Sequence, residues 1–518
     1  MNHAEKPEPA SPSPSSSWIL LLTLWGVLLL LAAWRPLALP DEGRYGEIGR
    51  WMLVSGDWLT PRLNGIPFFH KPPYLYWLEA ISVSIFGAHA WAVRLVPALH
   101  AGLMLTSLYL ASKHIGGERL AQRATLMLGC SLSFLIGGQY INHDMLVACW
   151  ISIALWCFAA SFLQGERPDV RLALIGFAAC ALGVLSKGMI GFALPGLVLF
   201  IWLIWTHQLH KIVRLPWLRG LALFGVLALP WFVLAHQQFP SMLDYMFGTQ
   251  QVSRFTGTTF NNARAWWFYL ACLLLLLFPW AFFVRPTPYA ALDTRGKAWL
   301  ALLWIWVVAI VGFFSIPASK LIGYVLPVMP PLALLAAIGY GEWMKNRPTM
   351  SRRVLPALAL LAVLIAMGAT LVTGRFSLKQ ATVDVAQTLA CRASPSDTVY
   401  ALGGFPYDLP FYTGAKKPMV IIQDWDKSRL NAGDSWQREL FEGADFDVPA
   451  GRTLQEPEVL KAAQQRPGNW LLLPTAMAAE ERPIGWVLVQ AGASWTLLRS
   501  TSESPETTQH KSLSGCKH

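Results

Sequence analysis

The chain is poor in charge. Of its 518 residues only 14% are Asp, Glu, Lys or Arg, while 54% are hydrophobic. A soluble domain rarely combines the two. No basic run is longer than a pair, so the net charge of +11 offers no concentrated patch for nucleic acid. The 7 cysteines contain no CxxC pair and no metal-ligand spacing. Cys130, Cys149, Cys157, Cys180 and Cys272 lie in or beside apolar runs and read as small core residues. Cys391 and Cys516 lie in the tail, where pairing or freedom are both open. No A-x-A cleavage signal follows the first apolar run, so it reads as a retained signal anchor. No internal repeat is visible.

What is present is a series of apolar runs near the length of a bilayer crossing. They fall near 18–39, 90–112, 119–138, 143–164, 170–186, 188–206, 217–236, 265–284, 297–316, 321–341 and 353–373. The fold class expected is a polytopic α-helical membrane protein with an odd number of spans, 11–13, and a C-terminal α/β domain. Residues 1–374 hold 26 Lys/Arg against 14 Asp/Glu, and residues 375–518 hold 15 against 16. The basic excess therefore belongs to the membrane part. One set of alternate loops, with Lys6, carries 16 basic residues and the other carries 8. The richer set is cytoplasmic by the positive-inside rule. This places the Pro/Ser-rich leader 1–17, read as disordered, inside. The long first loop, 40–89, and the tail are placed outside.

Two polar knots fall on that outer side. Asp41-Glu42-Gly43-Arg44-Tyr45 follows the first apolar run, and Phe69-His70-Lys71-Pro72-Pro73-Tyr74 lies thirty residues on. Amphipathic stretches at 42–55 and 73–86 suit helices lying on a membrane surface. In the tail, β-prone runs at Thr398–Leu402, Met419–Ile422, Trp470–Leu473, Trp486–Gln490 and Trp495–Leu498 alternate with helical stretches near 378–391 and 455–465. An α/β domain over 375–500 is expected, with a disordered end at 501–518.

Asp41-Glu42-Gly43-Arg44-Tyr45, Gly56-Asp57-Trp58-Leu59-Thr60-Pro61-Arg62, Lys71-Pro72-Pro73 and Ser186-Lys187-Gly188 carry a family likeness. They resemble the polyprenyl-phosphate-sugar-dependent (GT-C, protein O-mannosyltransferase-like) membrane glycosyltransferases. The likeness covers roughly 20–345 and is strongest to the branch that modifies lipid A. It implies transfer of 4-amino-4-deoxy-L-arabinose from undecaprenyl phosphate to a lipid A phosphate, with inversion, at the periplasmic face of the bacterial inner membrane. It also implies polymyxin resistance and no nucleotide cofactor. At His70 many relatives carry Glu before the Lys-Pro pair.

The chemistry assigns roles, each beside a plainer one. A sugar leaving a phosphodiester develops positive charge at its anomeric carbon, which a fixed carboxylate stabilises. Asp41 is the candidate catalytic carboxylate; its plainer role is a helix cap. Glu42 binds substrate or is structural. Arg44 and Lys71 suit the charge on the departing phosphate, against pairing with Asp41 for the one and snorkelling for the other. Tyr45 lines a groove or belongs to an aromatic belt. Asp144 caps a helix or binds the sugar amine. Lys187, Arg254, Lys320 and Tyr324 are candidates for phosphate or sugar contact, against anchoring. No metal is required by this chemistry; Glu42 and His70 are the weak candidates for a divalent ion. A monomer that binds no nucleic acid is expected. Two other readings stay open: a transferase with a protein or other glycan acceptor, and a lipid flippase. A flippase favours mid-span charges and paired repeats.

Overall fold

The computed structural model describes residues 14–253, 262–286, 292–345, 347–431, 433–480 and 482–500. Each expected apolar run is helical in whole or in part. The helices are α1 (Pro14–Ala32), α4 (Ala90–Gly129), short α5 (Leu132–Leu135), α6 (His143–Leu163), α7 (Val170–Lys187), α8 (Ile190–Trp205), α9 (Trp217–Gln238), α10 (Phe268–Leu276), α11 (Thr294–Ser315), α12 (Met329–Met344) and α13 (Pro348–Gln380). Among the described residues 8 helices are long and apolar enough to cross a membrane. Two expected runs appear as the single helix α4, broken where Gly116 and Gly117 leave helical geometry, Gly117 at φ +78°. The run at 265–284 yields only short α10 and a tight turn at Trp280–Phe283. Pro279 lies between them and cannot donate to a helix.

The chain divides into two compact units. The first comprises Met1–Ala32, Pro97–Pro230 and Asn262–Gly368. Its core is Leu, Ala and aromatic, and Trp202 and Trp306 are fully buried. Trp202 anchors by donating to the Ala298 carbonyl at 2.8 Å. Glycine lets α7 and α8 touch: a Cβ on Gly191 would lie 2.1 Å from the Gly183 carbonyl carbon. Small residues at such contacts are a hallmark of packing in lipid.

The second unit comprises Ala33–Val96, Trp231–Asn261 and Ala369–His518. It holds both amphipathic stretches as helices, α2 (Asp41–Ser55) and α3 (Tyr74–Phe86). They press together at Gly49, where a Cβ would come within 2.6 Å of the Glu79 Cβ. Between them a two-residue hairpin joins β1 (Arg62–Leu63) and β2 (Ile66–Pro67). Its turn is Asn64-Gly65, both at positive φ, the pair such a turn requires. Asn64 also bonds both backbone groups of Met419, at 2.8 and 2.9 Å.

In the tail a six-stranded sheet has the order β5-β4-β3-β6-β8-β7. These are β3 (Thr398–Leu402), β4 (Val420–Ile422), β5 (Leu454–Gln455), β6 (Asn469–Pro474), β7 (Trp486–Ala491) and β8 (Trp495–Ser500). β3, β4, β5 and β6 run parallel, and β7 and β8 add an antiparallel edge. All five expected strands form. Two-residue β5 carries no periodicity and was not anticipated. Central β6 is buried on both faces, which suits its apolar run. Cys391 is disulfide-bonded; Cys516 lies outside the described residues, as do leader residues 1–13.

Candidate active site

The start of α2 places the first knot. Pro40 precedes the helix and gives no side-chain cap. Asp41 and Glu42 stand in the first turn, where the helix dipole favours negative charge. One turn on, Arg44 lies on the same face as Asp41 and forms an ion pair with it. About a third of the Asp41 side chain (35%) remains accessible.

Arg44 is enclosed from the tail as well. It pairs with Glu439 on the helix Trp436–Ala444. The other Glu439 oxygen accepts from the Tyr407 hydroxyl at 3.0 Å. Its Cζ lies 5.0 Å from the Tyr45 ring centroid, 6.0 Å from Phe68 and 5.7 Å from Tyr407. This box of rings suits a guanidinium. Half-buried Tyr45 packs 6.1 Å from Tyr76.

Glu42 points the other way, and of its two roles, substrate binding or structural, its surroundings favour the structural one. It is fully buried. Its carboxylate accepts from Arg35 at 2.6 and 2.8 Å, from Arg94 at 2.7 and 3.2 Å, and from the Ala38 N–H at 2.7 Å. Burial alone would raise its pKa, but the two guanidiniums overcome this and hold it at about 2. A second pair, Arg50 with Glu47 at 2.6 Å, is buried further along α2. Glu79 on α3 differs: both its oxygens are buried and make no hydrogen bond.

The second knot forms the turn between β2 and α3, with Lys71 half-buried. Pro72 and Pro73 keep Lys71 out of the helix, whose first residue is Tyr74. The His70 ring stacks on Phe68 at 4.3 Å, and its Nε2 lies 2.9 Å from the Tyr245 hydroxyl.

The first unit holds the other candidates. Asn142, not Asp144, caps α6, accepting from the Asp144 N–H at 2.9 Å. This leaves the Asp144 carboxylate to pair with Lys187, at the end of α7. Lys187 Nζ also lies 4.4 Å over the Tyr324 ring. The fit is close: a Cβ on Gly323 would be 1.9 Å from Asp144 Oδ2. Lys320 is corrected from phosphate ligand to structural cation. It is 5% exposed, and its ammonium donates to the carbonyls of Pro317 at 2.6 Å and Arg264 at 3.3 Å. Arg254 lies outside the described residues. Among the described residues no three metal-ligating side chains cluster.

Arg35, Arg94, Tyr407, Glu439, Tyr245 and Glu442 were missed. Arg94 carried a signal, a charge inside an apolar stretch, which demands a partner. Arg35, inside the first apolar run, carried the same signal, and its partner Glu42 lies seven positions away; Tyr407, Glu439, Tyr245 and Glu442 carried none.

The model of the dolichyl-phosphate-mannose-protein mannosyltransferase family matches residues 16–246. An undecaprenyl phosphate-α-4-amino-4-deoxy-L-arabinose arabinosyl transferase of Pseudomonas fluorescens Pf0-1 is 32% identical over 362 residues, 67% of this chain and 62% of the relative. The corresponding protein of Pseudomonas aeruginosa UCBPP-PA14 is 30% identical over 330 residues, 62% of this chain and 59% of its own. The chain thus spans about three fifths of the length of these relatives. The crystal structure of ArnT from Cupriavidus metallidurans bound to undecaprenyl phosphate superposes with TM-score 0.80 at 23% identity, covering 95% of this chain and 100% of that one. The Archaeoglobus fulgidus oligosaccharyltransferase AglB, in complex with an inhibitory peptide and a dolichol-phosphate, superposes with TM-score 0.52 at 14% identity, covering 95% and 75%. The fold is thus that of these solved structures, with a multi-pass set of apolar helices and a mixed-sheet domain. In sequence the chain is similar to undecaprenyl phosphate-aminoarabinose arabinosyl transferases over about three fifths of their length.

Proposed function

We propose that the protein transfers 4-amino-4-deoxy-L-arabinose from undecaprenyl phosphate to a phosphate of lipid A, with inversion. The reaction takes place at the periplasmic face of the bacterial inner membrane and gives resistance to polymyxin. The leader is then cytoplasmic and the tail periplasmic, as the loop charges favour. The observation that carries the reading is the Asp41–Arg44 pair: an accessible carboxylate held beside a guanidinium at the mouth of a polar helix. In the reaction the bond from the anomeric carbon to the donor phosphate oxygen breaks, and its electron pair stays on that oxygen. An oxygen of the acceptor phosphate forms the new bond on the opposite face. Asp41 stabilises the positive charge that builds on the sugar, while Arg44 and Lys71 take up the charge left on the departing phosphate. The acceptor is already an anion, so no strong base is needed.

The test is lipid A mass spectrometry of a deletion strain complemented with the wild-type gene or with Asp41→Asn. Aminoarabinose addition is expected with wild type and none with the variant. Addition by the variant would remove Asp41 from catalysis, and no addition by wild type would overturn the substrate. The match to the mannosyltransferase family favours one second reading, a protein acceptor, which the wild-type arm excludes or admits.

A further inference from the structure

Three separated chain segments meet at one hydroxyl in the second unit. The Tyr245 hydroxyl lies 2.9 Å from His70 Nε2 and donates to Glu442 Oε2 at 2.7 Å. It also accepts from the Gln250 side-chain amide at 3.0 Å. The remaining Glu442 oxygen accepts from Arg438 Nε at 2.6 Å. Phe446 packs edge-on against Tyr245 at 5.4 Å and against Phe69 at 5.1 Å, so neighbouring residues are held too. A hydroxyl has one proton and a carboxylate can only accept. Tyr245 spends its proton on Glu442, so the hydrogen of the His70 contact must come from Nε2. The imidazole is thereby set as the Nε2–H tautomer, and its ring plane is held between Phe68 and Tyr245.

We propose that Tyr245 and Glu442 are positioning residues. Through His70 they hold the turn Phe69-His70-Lys71 in the register that presents Lys71 to the donor phosphate. The relay gives the tail helix a task in the reaction beyond stability. The inference rests on the proposed transferase reading for its kinetic consequence, but not for its structural one.

Two measurements on the full-length protein in detergent test it. In ¹⁵N-histidine spectra, with His70 assigned by its loss in His70→Asn, wild type should show a protonated, pyrrole-type Nε2. Tyr245→Phe and Glu442→Leu should each turn that signal into a tautomer average. In steady-state transfer each variant should lower kcat about 10- to 100-fold with the acceptor KM unchanged, the scale of a lost positioning contact. The double variant should be no worse than either single one, because the relay acts as one chain. An unprotonated Nε2 in wild type overturns the relay. So does an unchanged His70 signal in Tyr245→Phe. A changed signal with unchanged kcat overturns the positioning role alone. Absence of transfer by wild type overturns the function proposed above and leaves the spectrum to judge the relay.

Discussion

Arg44 is ion-paired with Glu439, 395 residues further along the chain. The same guanidinium holds Asp41 one helical turn away. One cation therefore ties the proposed catalytic carboxylate to the tail domain. Glu439→Gln keeps the volume and the Tyr407 bond but removes the charge. It is expected to lower transfer by about 100-fold through misplacement of Arg44, with the thermal midpoint little changed. Parallel kinetics and thermal unfolding in detergent check this.

Glu42→Gln should behave in the opposite way, as a folding mutation. It leaves Arg35 and Arg94 buried without their anion, at a cost of about 3–5 kcal/mol. Low yield and an early thermal transition are the expected readout. The wild-type carboxyl, held at about 2, adds stability above its unfolded pKa of 4.5 that is lost as pH falls toward 2.

Glu79 has no hydrogen-bond donor within its buried pocket. A carboxyl so placed is stable only as the neutral acid. Glu79→Gln should therefore change stability by no more than about 1 kcal/mol and leave transfer intact. Glu79→Lys should prevent accumulation of folded protein. Expression and size-exclusion profiles separate the two.

Asp408 supplies a pH dependence of known sign. Burial pushes its carboxyl up, and two bonds from Thr382, at 2.9 and 3.1 Å, limit the rise to about 6. A raised carboxyl favours folding below its unfolded pKa of 3.8, and that contribution is lost as pH rises through 6. Two units correspond to about 3 kcal/mol. Thermal midpoints from pH 4 to 7 should fall less steeply in Asp408→Asn than in wild type.

Gly323→Ala tests the pair in the first unit. Its Cβ would overlap the Asp144 carboxylate, which must swing away from Lys187. Transfer should fall as far as in Asp144→Asn, and combining the two should add nothing. Additive losses would mean that Gly323 acts on something other than this pair.

Much of this was legible in the residues themselves, where the physics is local. Apolar runs become helices because a chain in lipid must satisfy its own backbone. The Asn64-Gly65 hairpin follows from two adjacent residues that tolerate positive φ. Asp41 and Arg44 lie three apart at the start of an amphipathic helix, so their pairing needs only that helix. The β-prone runs of the tail mark five of its six strands in the same way.

Tertiary structure alone decided which charges are spent. Glu42 and Asp41 are adjacent and look equivalent, yet a rotation of about 100° around the helix turns one toward Arg35 and Arg94 and leaves the other accessible. Lys320 looks like a phosphate ligand until its ammonium is seen on two backbone carbonyls. Glu439 and Glu442 are ordinary polar positions of a tail helix in the sequence, and only the fold brings them to Arg44 and to Tyr245. Local sequence sets secondary structure and the kinds of charge available; which charges face a partner is decided by the folded packing, and for the Arg44–Glu439 and Tyr245–Glu442 contacts no short window of sequence contains both ends.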